Sequence, residues 1–166
     1  MRYNAIIPND VTNGEGVCVS LFVQGCPHRC KGCFNPETWD FTGGREYTSE
    51  TKWEIIKLIG ANGIQRNFSL LGGEPLAPQN LDMVEDILTA IRAAYPHIKI
   101  YLWTGYTLND LKRTANKKLN SILTKIDFLI DGQFEEDKKD LSLKFRGSSN
   151  QKVWEHINNE WREYNG

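Results

Sequence analysis

Apolar residues recur along this chain at two spacings, and the switches between them divide it into short strands and amphipathic helices. Val17 to Val23 is rich in β-branched and aromatic residues and reads as the first clear strand. Thr48 or Ser49 can cap a helix carrying Trp53, Ile56 and Ile59 on one stripe and stopping near Gly60 or Gly63. Phe68 to Leu71 is a short apolar strand that ends at Gly72-Gly73. Asn80 can cap a second helix, in which Leu81, Val84, Leu88, Ile91 and Tyr95 follow at helical spacing until Pro96 ends it. Ile98 to Trp103 is another strand. Thr107 with Asp110 resembles a capping box and opens a helical stretch through Leu111; a further piece carries Leu119, Ile122 and Leu123. Ile126 to Ile130 is the next strand, ending at Asp131-Gly132, and Leu141 to Phe145 alternates as a final strand would.

Strands alternating with helices imply parallel βαβ units. The chain has 166 residues, which suits one domain spanning 1–166. A closed eight-fold barrel takes about 250 residues, so the expected α/β fold is an incomplete, open barrel of mostly parallel strands. Ligands in such architectures gather at the C-terminal ends of the strands. Here a cysteine-rich loop (25–40), GGEP, TGY and DG follow successive strands, which would bring four strand ends to one site. The charged run Glu135 to Asp140 is a solvated loop within the closing segment, residues 133–166.

Formal net charge is −1, which argues against a broad nucleic-acid footprint. No apolar run approaches membrane-spanning length, and the first residues lack signal-peptide character, so the cytoplasm is the expected location. Three of the four cysteines crowd into one loop, which favours metal or redox chemistry over a disulfide framework. The fourth, Cys18, lies in an alternating apolar run and reads as a small buried strand residue.

Cys26, Cys30 and Cys33 are spaced C-x3-C-x2-C in GCPHRCKGCFNPETWD. A cubane of about four irons needs a terminal ligand on each, so three thiolates leave one iron open. A structural zinc site would need a fourth protein ligand. His28 is cramped between the first two cysteines, and His97 and His156 are distant in sequence. Spacing alone favours the cluster and leaves zinc open. Gly72 to Pro75, GGEP, is either a plain strand-to-helix turn or a ligand cradle. Its glycines let the backbone approach a ligand closely, and its carbonyls and Glu74 can accept hydrogen bonds from an ammonium group. Thr104, Gly105 and Tyr106 end a strand at the same mouth, and Asp131 ends the next, within reach of hydroxyl groups or a substrate peptide. Arg146 can pair with a carboxylate or dock a partner. His28, Arg29 and Lys31 place positive charge beside the cysteines, and Trp39 is expected to pack the loop down.

The three-cysteine motif resembles that of the radical S-adenosylmethionine enzymes, with GGEP as a second matching element. The loop, LLGGEPLAPQN, LWTGY and DGQFEED…FRGSSNQKVW together resemble, in order and over nearly the whole chain, the activating proteins of anaerobic (class III) ribonucleotide reductases. The resemblance implies one 4Fe-4S cluster on Cys26, Cys30 and Cys33. It further implies S-adenosylmethionine on the open iron, and reductive cleavage to a radical that takes hydrogen from a glycine of the large reductase. No catalytic side chain beyond cluster and cofactor is implied. Cofactor contacts fall on Gly32, Phe34, Gly72, Gly73, Glu74, Thr104, Asp131 and Arg146. Many members carry an aromatic residue just before the last cysteine; here that position is Gly32 and the aromatic is Phe34. The implied partners are the reductase and a low-potential electron donor such as flavodoxin or ferredoxin. With four cysteines in all, a second cluster would lack ligands. CFNPETWD also resembles the pyruvate formate-lyase activating enzymes, so activation of another glycyl-radical enzyme is one alternative. A non-catalytic zinc or iron–sulfur module is the other.

Overall fold

The computed structural model describes residues 1–165, so the last residue of the expected closing segment 133–166 lies outside the described residues. Eight strands form one mixed sheet in the order β3-β1-β2-β4-β5-β6-β7-β8. Its centre is parallel: β2 (Cys18–Val23), β4 (Asn67–Gly72), β5 (Ile100–Trp103) and β6 (Phe128–Asp131) run side by side. Antiparallel strands flank them: β1 (Arg2–Asp10) and β3 (Arg45–Glu46) beside β2, and β7 (Lys152–Ile157) and β8 (Glu160–Glu163) beside β6. The sequence pattern missed these flanks. Pro8 and the polar positions around it break the alternation of β1, and β8 (EWRE) is almost wholly polar. Leu141 to Phe145 is not a strand but part of an irregular segment of turns, with Leu141 exposed.

The parallel strands alternate side chains between two different covers. Val19, Leu21, Val23, Phe68, Leu70, Ile100, Leu102 and Leu129 enter the main core with the helices α1 (Ser49–Ile59), α2 (Leu81–Ala94), α3 (Leu108–Arg113) and α4 (Lys117–Lys125). Helix α1 starts at a capping box in which Thr48 and Thr51 bond reciprocally. Its buried stripe is Thr51, Ile55 and Ile59; Trp53, expected on that stripe, is exposed. In α2 the expected Leu81, Val84, Leu88 and Ile91 are buried together with Met83 and Ile87. Asn80 precedes α2 but its side chain makes no cap; it donates instead to the carbonyls of Glu74 and Gln24. Thr107 does cap α3, accepting from the Asp110 N–H.

The opposite sheet face is covered without helices. Tyr101, Phe128, Ile130 and Val153 form a smaller core there, with Trp103, Phe145 and Tyr164 against it. Phe145 adopts a left-handed φ of 64°, which lets its carbonyl accept from Trp103 Nε1 while its ring meets Tyr101 edge-on. The loop after β1 folds over the rest of this face. Ser20 Oγ donates to Asp10, Ser69 Oγ to the Asn13 carbonyl, and the Cys18 thiol to the Glu15 carbonyl. Cys18 is thus buried, as its alternation predicts, at the end of the sheet away from the other cysteines.

Asp10 anchors that loop. Burial alone would push its carboxyl up, but hydrogen bonds from Ser20, Asn13 and Thr12 outweigh it and hold the group at about 2, below its ordinary 3.8. A depressed folded-state value stabilises the fold above the unfolded value and loses that contribution as pH falls through the folded one. Asp10→Asn should therefore cost about 2 kcal/mol at neutral pH, a difference that shrinks as the wild type is acidified from about pH 4 to pH 2. Thermal unfolding of both proteins across that range checks it; equal acid sensitivity would refute it.

Candidate metal and cofactor site

Because β2, β4, β5 and β6 are parallel, the segments after Val23, Gly72, Trp103 and Asp131 all emerge at one end of the sheet. The loop after β2 is closed at its neck. Gly25 and Cys26 N–H donate to the Thr38 and Trp39 carbonyls, and Gln24 Nε2 to those of Glu37 and Asp40. Cys30 and Cys33 bracket a tight turn, with Cys33 N–H on the Cys30 carbonyl at 3.1 Å. Gly32 takes its third position at φ 75°, where an aromatic residue would be strained.

Cys26, Cys30 and Cys33 line one cavity of about 590 Å³, together with Gly72, Gly73, Glu74, Thr104, Phe34 and Arg146. That size is ordinary for a small-molecule site. Among the described residues, no three His, Cys, Asp or Glu side chains converge closely enough to hold a single metal ion. The three thiols border the same cavity, so one inorganic core placed there could reach them all. The Asn35 N–H donates to the Cys33 sulfur at 3.4 Å, and the main-chain N–H groups of His28 and Arg29 near Cys26 and of Phe134 near Cys30 favour the thiolates there. Burial pushes the Cys26 and Cys30 thiols up, so in the free protein they stay protonated and a metal must displace the protons.

The GGEP turn sits directly beneath the cysteine loop. Gly73 N–H donates to the Val23 carbonyl at 2.9 Å and Glu74 N–H to the Gly25 carbonyl at 2.8 Å. A Cβ on Gly73 would lie 2.5 Å from the Gly25 oxygen, and one on Gly72 2.8 Å from the Phe22 Cα. Both glycines are therefore required by the protein's own backbone, before any ligand is considered.

Glu74 is 1 % exposed and its carboxylate has four donors. Oε1 takes His28 Nε2 and the Gly105 N–H, each at 2.7 Å; Oε2 takes the Leu76 N–H and Thr104 Oγ, each at 2.9 Å. Thr104 thus reaches the site through Glu74. His28 is not the solvated cation of the sequence pattern. Its side chain is 8 % exposed, with Gln133 Nε2 at 3.3 Å from its second nitrogen. Arg29 and Lys31 are exposed as expected, Arg29 lying over the Trp39 ring at 5.6 Å.

Asp131 ends β6 at the same end of the sheet. It lines an adjoining cavity, and its buried carboxylate accepts the Leu108 N–H at 2.7 Å, anchoring the start of α3. Arg146 does face the cysteine-lined cavity, and its Nε is buried with no hydrogen-bond partner among the described residues. Phe34 is 54 % exposed and packs against Phe134 at the rim, with Leu141 73 % exposed nearby on the same lining. Sequence reasoning missed His28 as a structural group, along with Gln133, Phe134 and Trp103. The one signal available was position, since all four lie within the cysteine loop or just after β5 and β6, or at a strand's end.

Residues 12–154 match the family model described as 4Fe-4S single cluster domain. The chain is 40% identical over 155 residues to the anaerobic ribonucleoside-triphosphate reductase-activating protein of Pasteurella multocida, covering 93% of this chain and 97% of that one. Identity to the protein of that name from Escherichia coli (strain K12) is 41% over 154 residues, covering 92% and 97%. To that of Enterobacteria phage T4 it is 36% over 162 residues, covering 98% and 99%.

Proposed function

The chain belongs to the family of anaerobic ribonucleoside-triphosphate reductase-activating proteins, with a 4Fe-4S single cluster domain, and from that premise we propose that it activates its reductase by forming a glycyl radical on it. One observation carries the reading: three thiols of a single loop and the GGE turn line the same cavity, with Arg146 beside them, its Nη1 on the Gln151 carbonyl and its Nε without a hydrogen-bond partner among the described residues. The 4Fe-4S cluster and S-adenosylmethionine supply, when bound, a one-electron reductive cleavage and a radical able to abstract hydrogen.

The protein's own residues bind, orient and shield. Cys26, Cys30 and Cys33 would hold the cluster, and three thiolates would leave it one open position for the cofactor. Since protein donors already fill the Glu74 carboxylate and its main-chain carbonyl, the carbonyls of Gly72 and Gly73 would receive the cofactor's ammonium. Arg146 receives its carboxylate, a pairing suited to a planar guanidinium. Gly32 and Phe34 border the adenine. The exposed apolar rim of Phe34 and Leu141 admits a peptide loop, and the open sheet, a half-barrel in this reading, leaves room for it. The same reading makes the chain one cytoplasmic domain served by a low-potential donor such as flavodoxin or ferredoxin. Among the described residues, no helix is long and apolar enough to cross a membrane.

The test is an anaerobic mixture of this protein, its reductase labelled with deuterium at glycine Cα, S-adenosylmethionine and a reductant. A glycyl signal in electron paramagnetic resonance and deuterium in 5′-deoxyadenosine are expected. Cofactor cleavage with no deuterium transfer would reject the glycine as substrate. A glycyl signal on pyruvate formate-lyase instead would move the assignment to that class of partner.

A further inference from the structure

One imidazole joins all four strand-end segments of the site. His28 comes from the loop after β2. Its Nε2 is 2.7 Å from Glu74 of the turn after β4, its ring lies edge-on to Tyr106 after β5 at 4.7 Å, and Gln133 after β6 is 3.3 Å from Nδ1. The fit is close: a Cβ on Gly105 would stand 2.5 Å from the imidazole Cδ2. Both ring nitrogens are thereby engaged, which leaves neither as a metal ligand. The Thr104 hydroxyl and the Gly105 and Leu76 N–H groups hold the other lone pairs of Glu74, so His28 bonds to a carboxylate that cannot swing away.

We propose that His28 is a positioning residue, which fastens the cysteine loop to Glu74 and so sets the distance between the cluster and the GGE turn. The proposal rests on the cofactor reading above. A cofactor chelated to an iron at one end and bound by the GGE turn at the other spans two chain segments. These segments are joined near the loop's base by the Glu74 N–H bond to the Gly25 carbonyl. Cys30 and Cys33 lie further out, and His28, between Cys26 and Cys30, is the side chain that ties that outer part to the GGE turn, while the exposed Lys31–Glu136 pair and the Phe34–Phe134 contact tie it to the segment after β6. A shift of about 1 Å between two such attachments can cost on the order of 10²-fold.

The experiment compares wild type, His28→Ala and His28→Gln, each reconstituted anaerobically. Iron content is measured first. S-adenosylmethionine is then titrated in, and the spectrum of the reduced cluster is followed by electron paramagnetic resonance. All three should carry wild-type iron. Cofactor affinity should fall by roughly 10- to 100-fold in His28→Ala, with an altered cofactor-bound spectrum. His28→Gln, whose amide can still donate to Glu74, should stay within about threefold. Wild-type affinity and spectrum in His28→Ala would overturn the proposal. So would equal losses in the two variants, or a selective loss of iron in His28→Ala, which would mark a ligand or a structural support. If His28→Ala does not fold, Gly105→Ala displaces the imidazole while keeping it in the chain, and the same weakening is expected; unchanged affinity there overturns the proposal. Failure of the wild type to bind S-adenosylmethionine would instead defeat the cofactor reading on which this rests.

Discussion

Gly73→Val should leave the protein unable to hold its cluster, although residue 73 is no ligand. The added Cβ would stand 2.5 Å from the Gly25 oxygen and 3.0 Å from its carbonyl carbon. Gly25 has no room to retreat, because its own missing Cβ position is filled by the Phe41 ring at 2.1 Å. The Gly73 N–H to Val23 and Glu74 N–H to Gly25 bonds hold the two segments at this spacing. Relief therefore requires breaking those bonds and lifting the base of the cysteine loop, at a cost of about 3 kcal/mol. Even Gly73→Ala should show much of this effect. Expected are a lowered thermal midpoint in the cluster-free protein and less than about half of the wild-type iron after reconstitution. The cluster-free measurement is the informative one, since it separates a collision within the protein from a blocked cofactor. A variant with wild-type stability and iron, impaired only in S-adenosylmethionine binding, would restore the simpler view of Gly73 as a place of close cofactor approach.

The second large effect separates the four cysteines. Replacing Cys26, Cys30 or Cys33 by Ala should reduce bound iron from about four per chain to a small residue and abolish activation, because each removes a terminal ligand that water replaces poorly. Cys18→Ala should keep its cluster. That thiol is buried on the sheet beneath the loop after β1, where it donates to the Glu15 carbonyl. Losing it should cost about 1–2 kcal/mol in stability and little else. Iron and sulfide analysis after anaerobic reconstitution, with thermal unfolding beside it, checks both halves. Loss of the cluster in Cys18→Ala with retention in Cys30→Ala would invert the assignment.

Much of the parallel centre was legible because its signals are local. The apolar runs that became β2, β4, β5 and β6 lie within a few residues of their expected places, and the helices between them follow from periodicity and caps. The antiparallel flanks were not legible, since an edge strand can be polar and interrupted and still find its partner through the main chain. The expected strand at 141–145 failed for the converse reason. Its turns bring Phe145 onto the helix-free sheet face and Leu143 to the lining of the cysteine cavity, without a ladder to join.

By itself the sequence determined that Cys26, Cys30 and Cys33 lie together at one end of the sheet. Three cysteines within eight residues must share one loop, and a loop that follows a parallel strand must share its end of the sheet with the turns after the neighbouring strands. Tertiary structure alone decided what those turns do to one another. His28 and Glu74 are 46 residues apart, and Gly73 and Gly25 nearly 50. No spacing pattern reveals that a basic loop residue is bonded inside, or that a glycine yields to a carbonyl of the chain rather than to a ligand. Asp131 shows the same limit, turned by its local packing from the cysteine-lined cavity to the start of α3. Periodicity records which face of an element is buried; contacts between loops depend on where the sheet carries their ends, and that is settled only when the strands have paired.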